Sequence, residues 1–219
     1  MEVMMSYRLN ELGYPYDALE PNFDEKTMHL HHDKHHAAYI DKLNSLLAEN
    51  GIHAPSSLEE LIAKIDTLPG SDDFRSRVRF NAGGHYNHDL FWRMISPGGA
   101  STPVGLLSDA VVQAFGGLDG LKKQVEKSAL SHLGVGWTWL CAGLEKRDEL
   151  FICSTSNHDN PLMVNHVQRA GYPILLLDLW EHAYYLKYNN RKTEYIEAYW
   201  RVVNWDAVSS RFKSYIENR

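Results

Sequence analysis

A change of local pattern near residue 96 constrains the fold of this chain more than any other feature. Before it, apolar spacing and capping residues predict helices from 24 to about 49, from 57 to 68 and from about 73 to 95. Ser96-Pro97-Gly98-Gly99 then interrupts the pattern. We therefore place a domain boundary there, with domains at 1–97 and 98–219.

Beyond this boundary the pattern mixes helices with short strands. Two stretches predict helices, at 104–115 and 118–132. Three runs after them predict strands, at 137–144, 150–154 and 173–178. From Thr193 to the C-terminus the pattern is helical again. Helices followed by helices around a small sheet predict an α+β fold.

The bulk composition excludes several classes of protein. The chain has 219 residues, of which 44% are hydrophobic and 23% charged, so it predicts a folded globular protein. A formal charge of -6 gives no basic surface for nucleic acid, and we find neither a signal peptide nor a run long enough to cross a membrane. The spacing of Cys141 and Cys153 does not indicate a disulfide framework, which is typical of a reducing compartment. We predict that both cysteines are buried strand residues. We therefore expect a cytoplasmic protein with no nucleic-acid or membrane partner.

Asp178 and His182 lie four residues apart at the end of the apolar run 172–177, which predicts a buried strand. A strand-end carboxylate and an imidazole in the following turn could bind one metal ion. The pair alone also fits an aspartate that orients a core histidine, so the other histidines have to decide.

Twelve histidines are the unusual feature of the composition, since histidine is the commonest metal ligand. His31 begins a stripe with His35 and Tyr39, spaced i, i+4 and i+8 on one face of the first predicted helix. His88 lies on the third predicted helix among residues that could form a dry surrounding, Asn87, Phe91 and Trp92.

Together with Asp178 and His182, His31 and His88 make a set of three imidazoles and one carboxylate. This set suits a redox-active first-row metal with an open coordination position. A zinc hydrolase could use similar ligands, but the chain has no HExxH helix and no evident general-base Glu. The remaining histidines without a spacing argument predict surface or hydrogen-bonded core residues: His29, His32, His36, His53, His85, His132 and His166.

Gly83 and Gly84 lie inside the third predicted helix, where each glycine costs about 1 kcal/mol relative to alanine. Two adjacent glycines at that cost predict a close approach of another part of the chain to this helix.

Four stretches in this order resemble the iron/manganese superoxide dismutases, and Tyr14-Pro15-Tyr16-Asp17-Ala18-Leu19-Glu20-Pro21 resembles the N-terminal approach of that family. The stretches are His31-His32-Asp33-Lys34-His35-His36-Ala37-Ala38-Tyr39, Asn81-Ala82-Gly83-Gly84-His85-Tyr86-Asn87-His88, Gly134-Val135-Gly136-Trp137-Thr138-Trp139-Leu140 and Asp178-Leu179-Trp180-Glu181-His182-Ala183-Tyr184-Tyr185. The likeness covers nearly the whole chain.

The resemblance implies an N-terminal long-helix hairpin and a C-terminal α/β domain with a small three-stranded antiparallel sheet, with one iron or manganese ion between them. Its ligands would be His31, His88, Asp178 and His182, with water or hydroxide as a fifth. The implied reaction is the disproportionation of two superoxide anions to dioxygen and hydrogen peroxide.

The resemblance also implies roles for residues around the ligands. Tyr39 and His35 would gate entry and relay protons. The surrounding wall, which excludes water and tunes the metal, would comprise Asn87, Trp92, Trp137 and Trp180.

Further residues would serve assembly and substrate approach. Glu181 would reach the partner's His182 in a homodimer, and Tyr185 would reach the partner's His35. Whether dimers pair into tetramers stays open. Lys34 and Arg191 would attract the anionic substrate locally, against the net negative charge.

One departure from the family concerns the metal. Manganese-type members carry Gln at the position of His158, and many iron-type members supply a Gln from the position of Gly84, so this chain has neither. Gly84 resembles the manganese type, whereas His158 resembles members that use iron or either metal. We therefore predict a catalytic role for His158 and the use of iron or of either metal, ahead of strict manganese. Whether His158 donates or accepts a hydrogen bond is open at this point.

Two other classes remain to be separated by the structure. A metal-binding or storage protein could keep the same fold without activity. A non-haem iron oxygenase would use two histidines and one carboxylate, which is three protein ligands rather than four.

Overall fold

The computed structural model describes residues 6–218. Its N-terminal half is helical, and the bounds of its elements are α1 (Glu25–Leu30), a π-helical turn (His31–His36), α2 (Ala37–Glu49), α3 (Leu58–Lys64), a 3-10 turn (Ile65–Thr67) and α4 (Asp72–Met94). The first and third predicted helices are confirmed to within a residue or two. Helices α2 and α4 pack against each other and form a hairpin.

The first long helix begins where Asp24 accepts a hydrogen bond from the Thr27 amide at 2.9 Å. It then runs through the π-helical turn into α2. The sequence pattern predicted a plain α-helix here, so the π turn is an unpredicted feature. Such turns carry an extra residue and occur frequently at functional sites.

The C-terminal half combines helices with a sheet. Its elements are α5 (Gly105–Phe115), α6 (Leu118–Ser131), β1 (Gly136–Ala142), β2 (Leu150–Ser156), β3 (Tyr172–Asp178), a 3-10 turn (Glu181–Ala183), α7 (Tyr185–Tyr188), α8 (Lys192–Trp200) and α9 (Trp205–Glu217). Within residues 6–218 the strands form a three-stranded antiparallel sheet of order β2-β1-β3. The predicted fold class is therefore confirmed, with a helical hairpin and an α/β domain.

The helix predicted from Thr193 onward is divided into α8 and α9. The break at 201–204 exists because this segment bonds to the end of α4. The Ser96 amide donates to the Val202 carbonyl at 2.9 Å, and the Asn204 amide donates to the Met94 carbonyl at 2.8 Å. Asn204 then caps α9 by accepting from the Ala207 amide at 3.0 Å. The correction to the predicted helix thus comes from contacts between distant parts of the chain.

The sheet brings its site end toward the helical hairpin. In the β1–β3 pairing, Trp137 lies opposite Asp178, and every residue of β1 is buried. Helix α4 packs against β3. The carboxyl end of β3 therefore faces the hairpin, where residues of both halves meet.

The cysteines lie in strands, as predicted: Cys141 is buried in β1 and Cys153 is half-buried in β2, and both are free thiols. The part of the chain covered by the structure, 6–218, contains no helix with the length and apolar character needed to span a membrane.

Candidate metal centre

Four side chains converge where the hairpin meets the sheet. His31 comes from the π-helical turn, His88 from α4, Asp178 from the end of β3 and His182 from the 3-10 turn that follows. One ligand atom of each lies within 4.8 Å of those of the others. The first three residues are fully buried and His182 is nearly so. The geometry thus brings together the four residues that the sequence singled out.

The carboxylate of Asp178 stands at the centre of this group. Its Oδ2 atom lies 3.0 Å from Nε2 of His31, 3.2 Å from Nε2 of His182 and 3.8 Å from Nε2 of His88. Its Oδ1 atom accepts a hydrogen bond from the Trp180 amide at 2.8 Å. This bond fixes the carboxylate so that Oδ2 faces the imidazoles.

The imidazole nitrogens of this group are suited to a metal ion. Nδ1 of His88 donates to the Gly84 carbonyl at 2.6 Å, which leaves Nε2 as the lone-pair atom that faces the centre. Nε2 of His88 is buried and has no hydrogen-bond partner among residues 6–218, and Nε2 of His31 is buried and lies 3.0 Å from the Asp178 carboxylate without the alignment of a hydrogen bond. Buried nitrogens are normally paired, so two of them aimed at one carboxylate fit a cation between them.

The protonation states also fit a cation. Burial lowers the pKa of His31 to about 4 and lowers the pKa of His88, so both imidazoles are neutral near pH 7. For Asp178, burial alone would raise the pKa, but the nearby His182 and His31 outweigh it and lower the pKa below its usual range. Neutral imidazoles and an ionised carboxylate are the forms that bind metals.

Aromatic side chains close the space around these four residues. The Trp92 ring lies 4.7 Å from that of His31, and the Trp137 ring lies 5.1 Å from that of His88. Trp180 is stacked on His182 at 5.6 Å. These indoles leave little room for bulk water, which strengthens electrostatic interactions inside the site.

His35 and Tyr39 lie at the more open side of the group. The His35 ring is exposed and stacks on His182 at 4.4 Å. The half-buried Tyr39 ring lies 5.3 Å from His88, and burial raises the pKa of its phenol. Both can therefore present a polar group to the site, and the phenol of Tyr39 stays protonated at neutral pH.

His158 is held as a hydrogen-bond donor. Its Nδ1 accepts from the Trp137 indole at 3.2 Å, and burial lowers its pKa to about 3, so the neutral ring carries its proton on Nε2. That Nε2 is buried and unpartnered within the described chain. The ring stacks on Trp180 at 4.4 Å and lies 4.5 Å from the Tyr39 ring. The structure thus gives a direction to the hydrogen bond that sequence alone left open.

The backbone of His158 is clamped by α4. Its carbonyl accepts from the Asn87 side chain at 3.1 Å, and Asn160 donates to the Asn87 amide oxygen at 3.1 Å. A Cβ atom at Gly83 would lie 2.1 Å from the same carbonyl, and one at Gly84 would lie 2.7 Å from Cγ of Tyr39. The close approach predicted from the two glycines is therefore confirmed, and its partners are identified.

The residues predicted to serve assembly and substrate approach lie at the surface. Glu181, Tyr185 and Lys34 are exposed. Arg191 is also exposed, and its Nε donates to Glu194 Oε2 at 3.0 Å, so part of its charge is offset locally.

The histidines without a spacing argument behave as predicted. His36 and His85 are buried, and Nε2 of His36 lies 2.8 Å from Nδ1 of His85. Nδ1 of His36 accepts from the Trp92 indole at 3.1 Å. His53 is exposed. These residues are accounted for by packing, hydrogen bonding or solvent.

Sequence reasoning missed two residues of the site. Phe80 lies 4.8 Å from the His158 ring and 5.9 Å from that of Tyr39. Phe80 precedes Gly84 by four residues and His88 by eight, so all three lie on one face of the helix. This spacing could have identified Phe80 as a residue of the site. Asn160 gave no such signal, because its role depends on a contact with Asn87 that only the fold creates.

Four nitrogen and oxygen donors converge between a helical hairpin and an α/β domain, and within residues 6–218 they define a buried site that fits a first-row metal ion. Residues 6–96 match the family model described as iron/manganese superoxide dismutases, alpha-hairpin domain, and residues 103–211 match the C-terminal domain of the same family. The chain belongs to the iron/manganese superoxide dismutases.

Similar proteins support this assignment over nearly the full chain. The relative from Thermus aquaticus, named superoxide dismutase [Mn], is 44% identical over 94% of this chain and 97% of its own length. The relative of the same name from Escherichia coli O157:H7 is 48% identical over 95% of this chain and 98% of its own length. The activity of the chain is thus the disproportionation of superoxide to dioxygen and hydrogen peroxide with one iron or manganese ion.

Proposed function

We propose that His31, His88, Asp178 and His182 are the protein ligands of the ion during superoxide disproportionation. The observation that carries this proposal is the pair of buried, unpartnered Nε2 atoms that face the Asp178 carboxylate. When bound, the ion would supply one-electron oxidation and reduction. The chain supplies the neutral imidazoles of His31 and His88, the imidazole of His182, the ionised carboxylate and the aromatic wall.

The proton donors would come from the open side of the site. Hydrogen peroxide carries two protons that superoxide lacks, so the chain has to deliver them. Tyr39 stays protonated because burial raises its pKa, and His35 stacks on His182 at the surface. We assign these two residues to proton delivery and His158 to a hydrogen bond donated into the site from Nε2.

We further propose that the chain uses iron, or either metal, in preference to manganese alone. What supports this is His158, which presents a ring N–H where manganese-type members have a Gln, together with its resemblance to members that use iron or either metal. The relatives named above are manganese enzymes by name, which favours strict manganese as the competing assignment.

Reconstitution of the apoprotein with each metal separately tests the choice. We expect the iron-loaded protein to be active, alone or alongside the manganese-loaded protein, because the imidazole N–H replaces an amide of different basicity and reach. Superoxide removal per bound ion is the measurement. A matched His158→Gln variant should raise the ratio of manganese-dependent to iron-dependent activity. High activity with manganese alone in the unaltered protein would contradict the proposal.

We propose a homodimer in which Glu181 reaches the partner's His182 and Tyr185 reaches the partner's His35. Exposed apolar side chains support this, because Leu30, Tyr185 and Leu186 lie on elements that pack around the Glu181–Ala183 turn beside the site. Clustered exposed apolar residues commonly mark an interface.

The Glu181→Ala variant tests the dimer. We expect it to shift the protein toward monomers at low micromolar concentration and to lower activity. The reason is that loss of the Glu181 carboxylate would leave the partner's His182 without its hydrogen-bond partner. Sedimentation and superoxide removal are measured on the same samples. The control is Glu145→Ala, at an exposed residue in the turn between β1 and β2. An unaltered protein that sediments as a monomer with full activity would rule the interface out.

Three further features stay proposals. Lys34 and Arg191 would increase the local positive potential for superoxide, supported by their exposure. The domain boundary between residues 97 and 98 is supported by the gap between the matched segments 6–96 and 103–211. The two free thiols favour a reducing compartment such as the cytoplasm.

A further inference from the structure

The two cysteines form a pair that the metal chemistry does not use. Cys141 on β1 lies opposite Phe151, and Cys153 on β2 lies opposite Trp139. The cysteines are therefore diagonal neighbours on one face of the sheet. Their Sγ atoms lie 4.0 Å apart, which is van der Waals contact between sulfurs. The β1–β3 register shifts between Leu140 and Cys141, so the strand is irregular at this point.

The environments of the two thiols differ. Cys141 is fully buried, and burial raises the pKa of its thiol well above the usual range. Cys153 is half-buried, and its pKa is lowered, mainly because the Cys141 thiol hydrogen-bonds to it and further because of the positive charge of Arg169. The Arg169 guanidinium lies 3.6 Å from the Phe151 ring centroid, in the same part of the sheet. Cys153 therefore has two features of a reactive thiol that Cys141 lacks, namely partial exposure and a lowered pKa beside a cation.

We propose that Cys141 and Cys153 form a dithiol that reduces hydrogen peroxide, the product of the activity of this chain, and is converted to a disulfide. The Cys153 thiolate attacks one peroxide oxygen, the O–O bond breaks, and Cys153 becomes a sulfenic acid as hydroxide leaves. The Cys141 thiol then attacks the Cys153 sulfur, so the S–S bond forms and the S–O bond breaks. Overall, two thiols and one hydrogen peroxide give one disulfide and two water molecules.

The second step needs movement of both side chains and backbone. A disulfide needs sulfurs about 2.05 Å apart, so they have to approach by about 2 Å. Diagonal neighbours on a sheet have Cα atoms about 7–8 Å apart, and a disulfide needs them within about 7 Å, so β1 and β2 also have to approach slightly. The pair lies four residues along β1 from Trp137, which is about 13 Å at the rise of a strand. The metal centre and the dithiol are thus separate sites.

Two oxidation experiments on the reduced holoenzyme test the proposal. In one, a few equivalents of hydrogen peroxide are added. In the other, a superoxide source is supplied so that turnover makes the peroxide, with and without added catalase. Free thiols are then blocked with maleimide under denaturing conditions, and the intact mass is measured. We expect loss of both thiols and of two hydrogen masses in each experiment, and protection by catalase in the second.

Single variants identify the thiol that reacts first. In Cys141→Ser, whose hydroxyl can still donate to the Cys153 sulfur, Cys153 should form a sulfenic acid that dimedone traps, at least about tenfold faster than Cys141 is modified in Cys153→Ser. Both variants should keep the dismutase activity, which also shows that they fold. Thiols that remain fully maleimide-reactive after peroxide, or a faster Cys141, would overturn the proposal. The proposal depends on the dismutase activity only for its oxidant. The two can therefore fail separately. A disulfide formed with added peroxide in a preparation without dismutase activity would support the dithiol and contradict the proposed metal function.

Discussion

Replacement of His182 by alanine is expected to abolish both metal retention and superoxide removal. The remaining His31, His88 and Asp178 would lose one of four donors, and Oδ2 of Asp178 would lose a neighbour now 3.2 Å away. Changes outside the ligand set typically cost about 10- to 100-fold in metal affinity, so loss of a ligand should cost more than about 100-fold. Elemental analysis and a superoxide-removal assay on the same purified sample measure the two effects.

The matched control is His53→Ala, because His53 is exposed and lies outside the ligand set. It should keep the full metal content and activity. A metal-free His182→Ala protein with full activity would refute the assignment of the ligands. Thermal unfolding of both apoproteins excludes a simple folding defect, since both should unfold at similar temperatures without metal.

The same variant tests the number of protein ligands. A site with two histidines and one carboxylate, as in an oxygenase, needs three protein ligands, and if His182 were not one of them His182→Ala would retain a full equivalent of metal. The assignment to the superoxide dismutases argues against that class and against a storage protein without activity. Measurement of the coordination number of the unaltered holoprotein distinguishes four protein ligands from three.

The four residues that converge in the structure could be singled out because their sequence signals are local. Asp178 and His182 stand at the end of an apolar run of strand length, and His31 and His88 stand on strongly periodic helices. Each signal depends on residues near each other in the chain. The structure adds their convergence, which no single stretch of sequence encodes.

Other features were not predictable because they depend on distant contacts or on geometry that sequence spacing does not distinguish. Residues four apart are neighbours in both α- and π-helical turns, so the spacing of His31 and His35 gave no sign of the π turn. The break at 201–204 follows from bonds to the end of α4, while Val202 and Val203 by themselves continue a helical pattern. The donor role of His158, in the turn after β2, requires the Trp137 indole, which comes from β1.

The Gly83→Ala variant is expected to destabilise the protein, although helices usually favour alanine over glycine. In an ordinary helix, glycine to alanine stabilises by about 1 kcal/mol. Here the added Cβ would lie 2.1 Å from the His158 carbonyl oxygen and 3.1 Å from Cε of Met163. Overpacking costs about 1–3 kcal/mol or more, and a contact this short with a backbone atom belongs at the upper end. We therefore expect a net loss of about 2 kcal/mol, measured by denaturant unfolding of the apoprotein.

Gly84→Ala is the matched control, because it adds the same methyl group one residue along the same helix. Its Cβ would meet Cγ of the Tyr39 ring at 2.7 Å, which is a longer contact than the 2.1 Å at Gly83 and is made with a side chain rather than with backbone. Gly83→Ala should therefore lose more stability than Gly84→Ala. It should also change the ratio of iron- to manganese-dependent activity, since the bond from Asn87 to the His158 carbonyl fixes that imidazole. A Gly83→Ala protein more stable than the parent would show that this contact does not constrain α4, and the clamp on His158 would have to be abandoned.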